Sequence, residues 1–161
     1  MSAWILRIAA FFLAAALVTA DLASKRAVFA TLDEAAVTRR DAAIVVVPGF
    51  LTLRQVLNPG GVWGIGKDHG GFLVAFRAVA LLVLLVLLAR VPLGQPRLRV
   101  GLSLVLAGAA GNLWDSARLG HVRDFLYFHV ANAYFPAFNV ADVCICVGAA
   151  FLILHITCER R

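Results

Sequence analysis

The sequence predicts an all-α membrane bundle of four transmembrane helices carrying a small extracytoplasmic β-sheet platform. Three observations predict it. Of the 161 residues, 62% are hydrophobic and only 15% charged, with a mean hydropathy of +0.90. A soluble domain is nearer half apolar and a quarter charged, so the excess exceeds what a core can absorb. The apolar residues gather in four runs long enough to enter a bilayer, and a stretch with strand patterning lies between the first two.

The four runs are residues 3–23, 72–89, 98–114 and 138–157. At 1.5 Å per residue each reaches roughly 25–30 Å, the thickness of the hydrocarbon core. The third is the least apolar, with Arg99 and Asn112 near its ends. Arg7 and Arg77 lie within a turn or two of their helix ends, where a long basic side chain snorkels to the interface. The first run also has the look of a secretory signal peptide, with Val18-Thr19-Ala20 as a small-residue cleavage site. Against that reading, apolar residues precede Arg7, and Asp21 and Lys25 stand at i, i+4. Acid before base is the favourable order for a helical ion pair, so the helix is expected to continue past residue 20.

An even number of spans puts both termini on one side, with segments 24–71 and 115–137 on the other. Lys and Arg number six on the tail side and nine on the loop side, so their count does not settle the orientation. Their density in the turn 90–97 and the C-terminal CERR favours cytoplasmic termini, which turns the loops outward. Within the outer platform, 24–71, an apolar β-branched run at 42–47 meets a Pro48-Gly49 turn. Residues 50–56 then alternate partly at period 2, as a half-buried strand does, before a second turn at 58–61. The segment 115–137 is expected as an outer loop or short helix, its Phe and Tyr residues lying at the membrane interface.

The chain is expected to form one domain, 1–161, and to act as a monomer. Its net charge of +6 comes from basic residues dispersed in pairs between apolar runs. That distribution suits anionic phospholipid head groups and not nucleic acid. Cys144, Cys146 and Cys158 form no C-x-x-C, and buried apolar cysteines are the expected reading, with no metal site.

Polar residues beside the spans cluster at the loop-side ends: Asp21 and Lys25, Asn58, Asn112 and Asp115, Asp124, Asn139 and Asp142. Polar groups at membrane depth are costly and usually face the bundle interior. Two carboxylates brought together share a proton, one serving as base toward water and the other as acid toward a leaving amine. That arrangement hydrolyses an amide without metal or cofactor. The serines lie in no G-x-S-x-G or S-x-x-K setting, and the histidines form no H-E-x-x-H. Each residue also has a plainer use. Asn139 and Asp142 suit a helix cap, Asp115 suits an ion pair with Arg118, and Asn112 suits an interhelical bond.

Five blocks in order then resemble the bacterial lipoprotein signal peptidases, the signal peptidase II family. They are 21-DLASK-25, 58-NPG-60, 108-GAAGNLWD-115, 122-VRDF-125 and 138-FNVAD-142. The resemblance implies a membrane aspartic endopeptidase of the bacterial inner membrane with Asp124 and Asp142 as its catalytic pair near the outer leaflet. It implies an outer β-cradle. It also implies diacylglyceryl-modified prolipoproteins as substrates, cut just before the lipidated cysteine. Asn58, Gly60, Asn112, Asp115, Arg118 and Asn139 are expected to bind substrate or orient the pair, with Asp21 and Lys25 as a structural ion pair. Where the family carries arginine directly after the acid ending the third span, this chain has Ser116, and Arg118 is the expected replacement. Two readings of other classes remain: a proton- or cation-coupled transporter, and a non-catalytic scaffold.

Overall fold

The computed structural model describes residues 3–36, 42–59, 70–131 and 133–159. Helix α1 (Ala3–Ala36) runs unbroken through residues 18–20 and well beyond the end expected at residue 23. The strands β1 (Ile44–Val47) and β2 (Leu51–Asn58) form the expected hairpin. Its turn places Gly49 at φ 74°, a conformation glycine adopts without steric cost, and Phe50 N–H bonds Val47 O at 3.0 Å. Helices α2 (Gly70–Arg90) and α3 (Pro96–Leu119) follow. Proline in the first turn starts α3, and Gly120 at φ 76° closes it by donating to Ser116 O.

The expected loop or helix at 115–137 is instead the last turn of α3 followed by β3 (Val122–Val130) and the short β4 (Ala133–Tyr134). The cause is local: VRDFLYFHV is rich in β-branched and aromatic residues, which pack well on a pleated surface. Among the described residues the sheet has the order β1-β2-β3-β4, antiparallel throughout. The register of β2 against β3 shifts between Leu53 and Val56, a bulge beside Asp124. Helix α4 (Val140–Glu159) is the last described element.

Among the described residues three helices, α1, α2 and α4, are long and apolar enough to cross a membrane. The least apolar helix, α3, packs against all three of them. It buries Arg99, Ser103, Asp115 and Ser116. Enclosure by protein is the physical reason its composition can be more polar. The core between α1, α2 and α3 holds Ala10, Ala14, Leu88, Leu102, Leu106 and Ala107. Where α3 crosses α4 the backbones approach closely, and α1 meets α3 through a side chain. A Cβ on Gly108 would meet the carbonyl of Ala141, and one on Gly111 the carboxylate of Asp21. Large apolar side chains such as Phe12, Phe72, Leu82 and Ile153 point outward, a surface suited to lipid. Only one cysteine follows expectation: Cys144 is buried, whereas Cys146 and Cys158 are exposed. Spacing of i, i+2 puts the first two on different sides of α4, and that surface is apolar all round.

Candidate active site

The site forms where the loop-side ends of α1, α3 and α4 meet the sheet. Asp124 lies on β3 opposite Val56, and Asn58 lies opposite Val122, so Asn58 and Asp124 are diagonal neighbours on one face. Asn58 Nδ2 donates to Asp124 Oδ2 at 3.1 Å. Phe138 clamps the strand to the start of α4. Its carbonyl accepts from the N–H groups of Phe125 and Leu126, and its own N–H donates to Leu126 O. This clamp carries Asn139 and Asp142 up to Asp124.

Asn139 and Asp142 do cap α4, and the cap is reciprocal. Asp142 N–H donates to Asn139 Oδ1 at 3.0 Å, and Asn139 N–H donates to Asp142 Oδ2 at 3.1 Å. The same side chains reach further. Asn139 Nδ2 donates to Asp124 Oδ1 at 2.6 Å and to Asn112 Oδ1 at 3.2 Å. Asn112 Nδ2 donates to Asp142 Oδ1 at 2.8 Å. Among the described residues each carboxylate is thus held by two hydrogen bonds, and Asn139 and Asn112 connect them. Burial first, then the neighbouring charge of Asp142, pushes the Asp124 carboxyl up to about 6, against the pull of Asn58, Asn139 and Lys25.

Behind the pair lies a buried charge network. Lys25 Nζ stands 2.7 Å from Asp21 Oδ2 and 3.6 Å from Asp115 Oδ2, and donates to Asn112 Oδ1 at 3.1 Å. Lys25, Asp21, Asp115 and Asn139 are all at most 1% exposed. Asp21 Oδ1 in turn accepts the Ala141 N–H at 2.8 Å, tying α1 to the first turn of α4. The pair of Asp21 and Lys25 is therefore present as expected, and it is wired to the site through Asn112.

Two expectations are corrected. Asp115 does not pair with Arg118 among the described residues; it accepts from Arg123 Nη2 at 2.7 Å, and from the Arg123 side-chain Nε and backbone N–H at 3.1 Å each. Asp115 points into the bundle, whereas Arg118, three residues on, is exposed and lays its guanidinium over the Trp114 ring. Arg77 does not only snorkel: it turns inward to donate to Ser116 Oγ. Arg123 and Arg77 are the site residues that sequence reasoning missed. For Arg77 the signal was a basic residue inside an otherwise apolar helix. Gly60 lies outside the described residues. A separate cavity of about 410 Å³ on the sheet, lined by Thr52, Arg54, Tyr127, His129 and Tyr134 among others, contains neither aspartate.

The chain matches the family described as Signal peptidase (SPase) II over residues 13–158. It is 42% identical over 118 residues to the lipoprotein signal peptidase of Symbiobacterium thermophilum, covering 73% of this chain and 78% of that protein. To that of Pseudomonas putida it is 45% identical over 123 residues, covering 73% and 72%. It is also similar to a solved bacterial membrane enzyme, determined in meso at 2.3 Å, with a TM-score of 0.81 and 25% identity over 94% of this chain and 89% of that one. A second such structure gives 0.76 and 26%, covering 92% of each. With the order of its motifs, its apolar helices and these relatives in agreement, the chain belongs to the signal peptidase II family, a family of membrane peptidases.

Proposed function

We propose that this chain is an aspartic endopeptidase of the bacterial inner membrane that removes the signal peptide from diacylglyceryl-modified prolipoproteins. It cuts before the lipidated cysteine, with Asp124 and Asp142 as the catalytic pair. The observation that carries this reading is the joining of the two carboxylates, from a strand and a helix, through Asn139 and Asn112. Asp124, with its raised affinity for protons, holds the shared proton, and Asp142 acts as base. Asp142 takes a proton from water as the water oxygen attacks the scissile carbonyl carbon, and Asp124 protonates the carbonyl oxygen. Collapse of the tetrahedral species breaks the C–N bond as the proton held by Asp142 passes to the leaving amine and one hydroxyl returns its proton to Asp124, which restores the starting pair. Asn58, Asn112 and Asn139 keep the carboxylates in register through these transfers.

In this reading α3 crosses the membrane with the other three helices, both termini are cytoplasmic, and the sheet lies at the outer leaflet. Exposed Val45, Val46, Phe50, Tyr134 and Phe135 give the sheet an apolar and aromatic surface suited to that interface. The transporter reading is less well supported, because a pore needs polar groups along its length, and apart from Gln95 and Glu159 the acids and amides here gather at the loop-side ends. A scaffold has no need of two carboxylates held together in a buried site. The test is purified protein with a fluorogenic diacylglyceryl-modified lipobox peptide. Cleavage before the cysteine is expected, resistant to chelators and to serine- and cysteine-directed reagents, and absent from Asp124→Asn and Asp142→Asn. Substantial cleavage by either variant overturns the aspartic mechanism. Reporter fusions at positions 40 and 94 test the topology, with position 40 outside and 94 inside; the same side for both overturns four spans.

A further inference from the structure

We propose that the cavity on the sheet is a binding site for a phosphate diester, filled in the membrane by the headgroup phosphate of a glycerophospholipid. The phosphate chemistry is independent of the peptidase reading. The lipid as its source rests on the sheet lying at the outer leaflet, as proposed above.

Strand register assembles the site. Thr52 on β2 stands opposite Tyr127 on β3, and His129 on β3 stands opposite Tyr134 on β4. Directly opposed residues share a face of a sheet, and so do residues two apart along a strand. Arg54 joins them by laying its guanidinium over the Tyr127 ring, 5.2 Å from the centroid. These five residues line the cavity of about 410 Å³, and the rest of its lining is alanine, which leaves the space open. Asp124 lies three residues before Tyr127 on β3 and so faces the other side of the sheet.

The donors around this cavity are unspent. Tyr127 holds the guanidinium by its face, which leaves the N–H groups in the guanidinium plane open to a ligand. Among the described residues Arg54 makes no hydrogen bond or ion pair, and the hydroxyls of Tyr127 and Tyr134 make no hydrogen bond. The walls are held by other contacts. Tyr127 stacks on Tyr134 with centroids 6.2 Å apart, and the buried Thr52 meets His129 Nε2 through its hydroxyl at 3.1 Å. No Asp or Glu lines the cavity. One cation with hydroxyl donors and no carboxylate suits a singly charged group rich in acceptors. A phosphate diester carries one negative charge over two non-bridging oxygens, which one guanidinium can bind together. Val45, opposite Thr52, and Tyr134 are exposed beside the cavity, an apolar and aromatic rim suited to the membrane interface, where such diesters abound.

The experiment is calorimetric titration of the purified full chain in a phosphate-free maltoside detergent. The probes are dihexanoyl-phosphatidylglycerol, dihexanoylglycerol, glycerophosphoglycerol (the same headgroup without acyl chains) and acetate. Saturable binding of the phosphatidylglycerol is expected, with none for dihexanoylglycerol or acetate. Arg54→Gln should weaken it by about ten-fold or more, the worth of a charge-assisted hydrogen bond. Tyr134→Leu should weaken it by less. Arg26→Gln removes an exposed charge outside the cavity and should leave it unchanged. Absence of saturable binding, wild-type affinity in Arg54→Gln, or an equal loss in Arg26→Gln overturns the proposal. So does acetate or dihexanoylglycerol bound as tightly as the phospholipid. Glycerophosphoglycerol bound as tightly as the lipid supports the phosphate site and overturns the headgroup as its source. If Arg54→Gln does not fold, wild-type affinity in Tyr134→Leu overturns the site. Cleavage enters none of these readouts, so failure of the aspartic reading leaves them untouched.

Discussion

Asn139 donates to Asp124 at 2.6 Å from the same side chain whose oxygen caps the helix that bears Asp142. One residue thereby serves the folding of α4 and the placing of both carboxylates. Its removal should be felt in both. Asn139→Ala is expected to cost about 1–2 kcal/mol through the lost cap and bonds. It should also lower kcat by about 100-fold through misplacement of the pair. Asn139→Asp keeps a capping oxygen but sets a third carboxylate against Asp124, so stability near neutral pH should fall further. Thermal unfolding and turnover, measured together on each variant, check this. A variant that loses stability yet keeps wild-type turnover separates the two roles and refutes the coupling.

The catalytic pair should behave as one unit. Asp124→Asn and Asp142→Asn are each expected to remove nearly all turnover, and the double variant should lose little more. Additive losses in a double-mutant cycle would mean that the two residues act in separate steps.

Burial holds the Asp124 carboxyl at about 6, above its ordinary value of 3.8. The folded protein therefore binds a proton that the unfolded chain releases. The stability this contributes is fully present below about pH 4 and is lost as pH rises through about 6. The loss is on the order of 3 kcal/mol at most. Asp124→Asn removes the ionisation, so its stability relative to wild type should improve between pH 4 and pH 8. Unfolding midpoints in detergent at those two values test it; a constant difference between the two proteins contradicts the assignment.

Lys25 stands between two buried carboxylates, and its loss takes the cation from Asp21, whereas Asp115 keeps Arg123. Lys25→Met is expected to destabilise by about 3–5 kcal/mol, the usual cost of breaking a buried pair. Asp21→Asn combined with Lys25→Met should recover part of that loss, because one uncompensated charge is gone. Expression level and thermal unfolding of the three proteins give the comparison, and a double variant no better than Lys25→Met argues against a simple charge account.

Close approach of α3 to α4 depends on Gly108, where an added Cβ meets the Ala141 carbonyl. Gly108→Ala should cost about 1–3 kcal/mol by overpacking and tilt the first turn of α4, reducing turnover as well. Gly94, with open space around its Cβ position, is the control, and Gly94→Ala should leave both quantities near wild type.

How far the sequence reaches can be judged residue by residue. The apolar runs, the turn at Pro48-Gly49 and the order of the polar blocks were legible, because hydropathy and turn chemistry are local properties. The pairing of Asp21 with Lys25 was legible too, since a helix fixes what stands four residues away. Local pattern was weaker at 122–130, where aromatic and β-branched residues suited an interfacial loop or helix as well as a strand, and only pairing with β2 decided between them. Partner choice was the least legible. Asp115 has Arg118 within a turn, but it faces inward and takes Arg123 from a strand and Lys25 from another helix. Arg77 read as a residue near a helix end until the packing of α2 on α3 set it against Ser116. The sequence by itself determined which charged groups the chain carries into the membrane region. Tertiary structure alone decided which of them neutralise one another, because a buried charge takes the partner that packing brings within a few ångströms, whatever its distance along the chain.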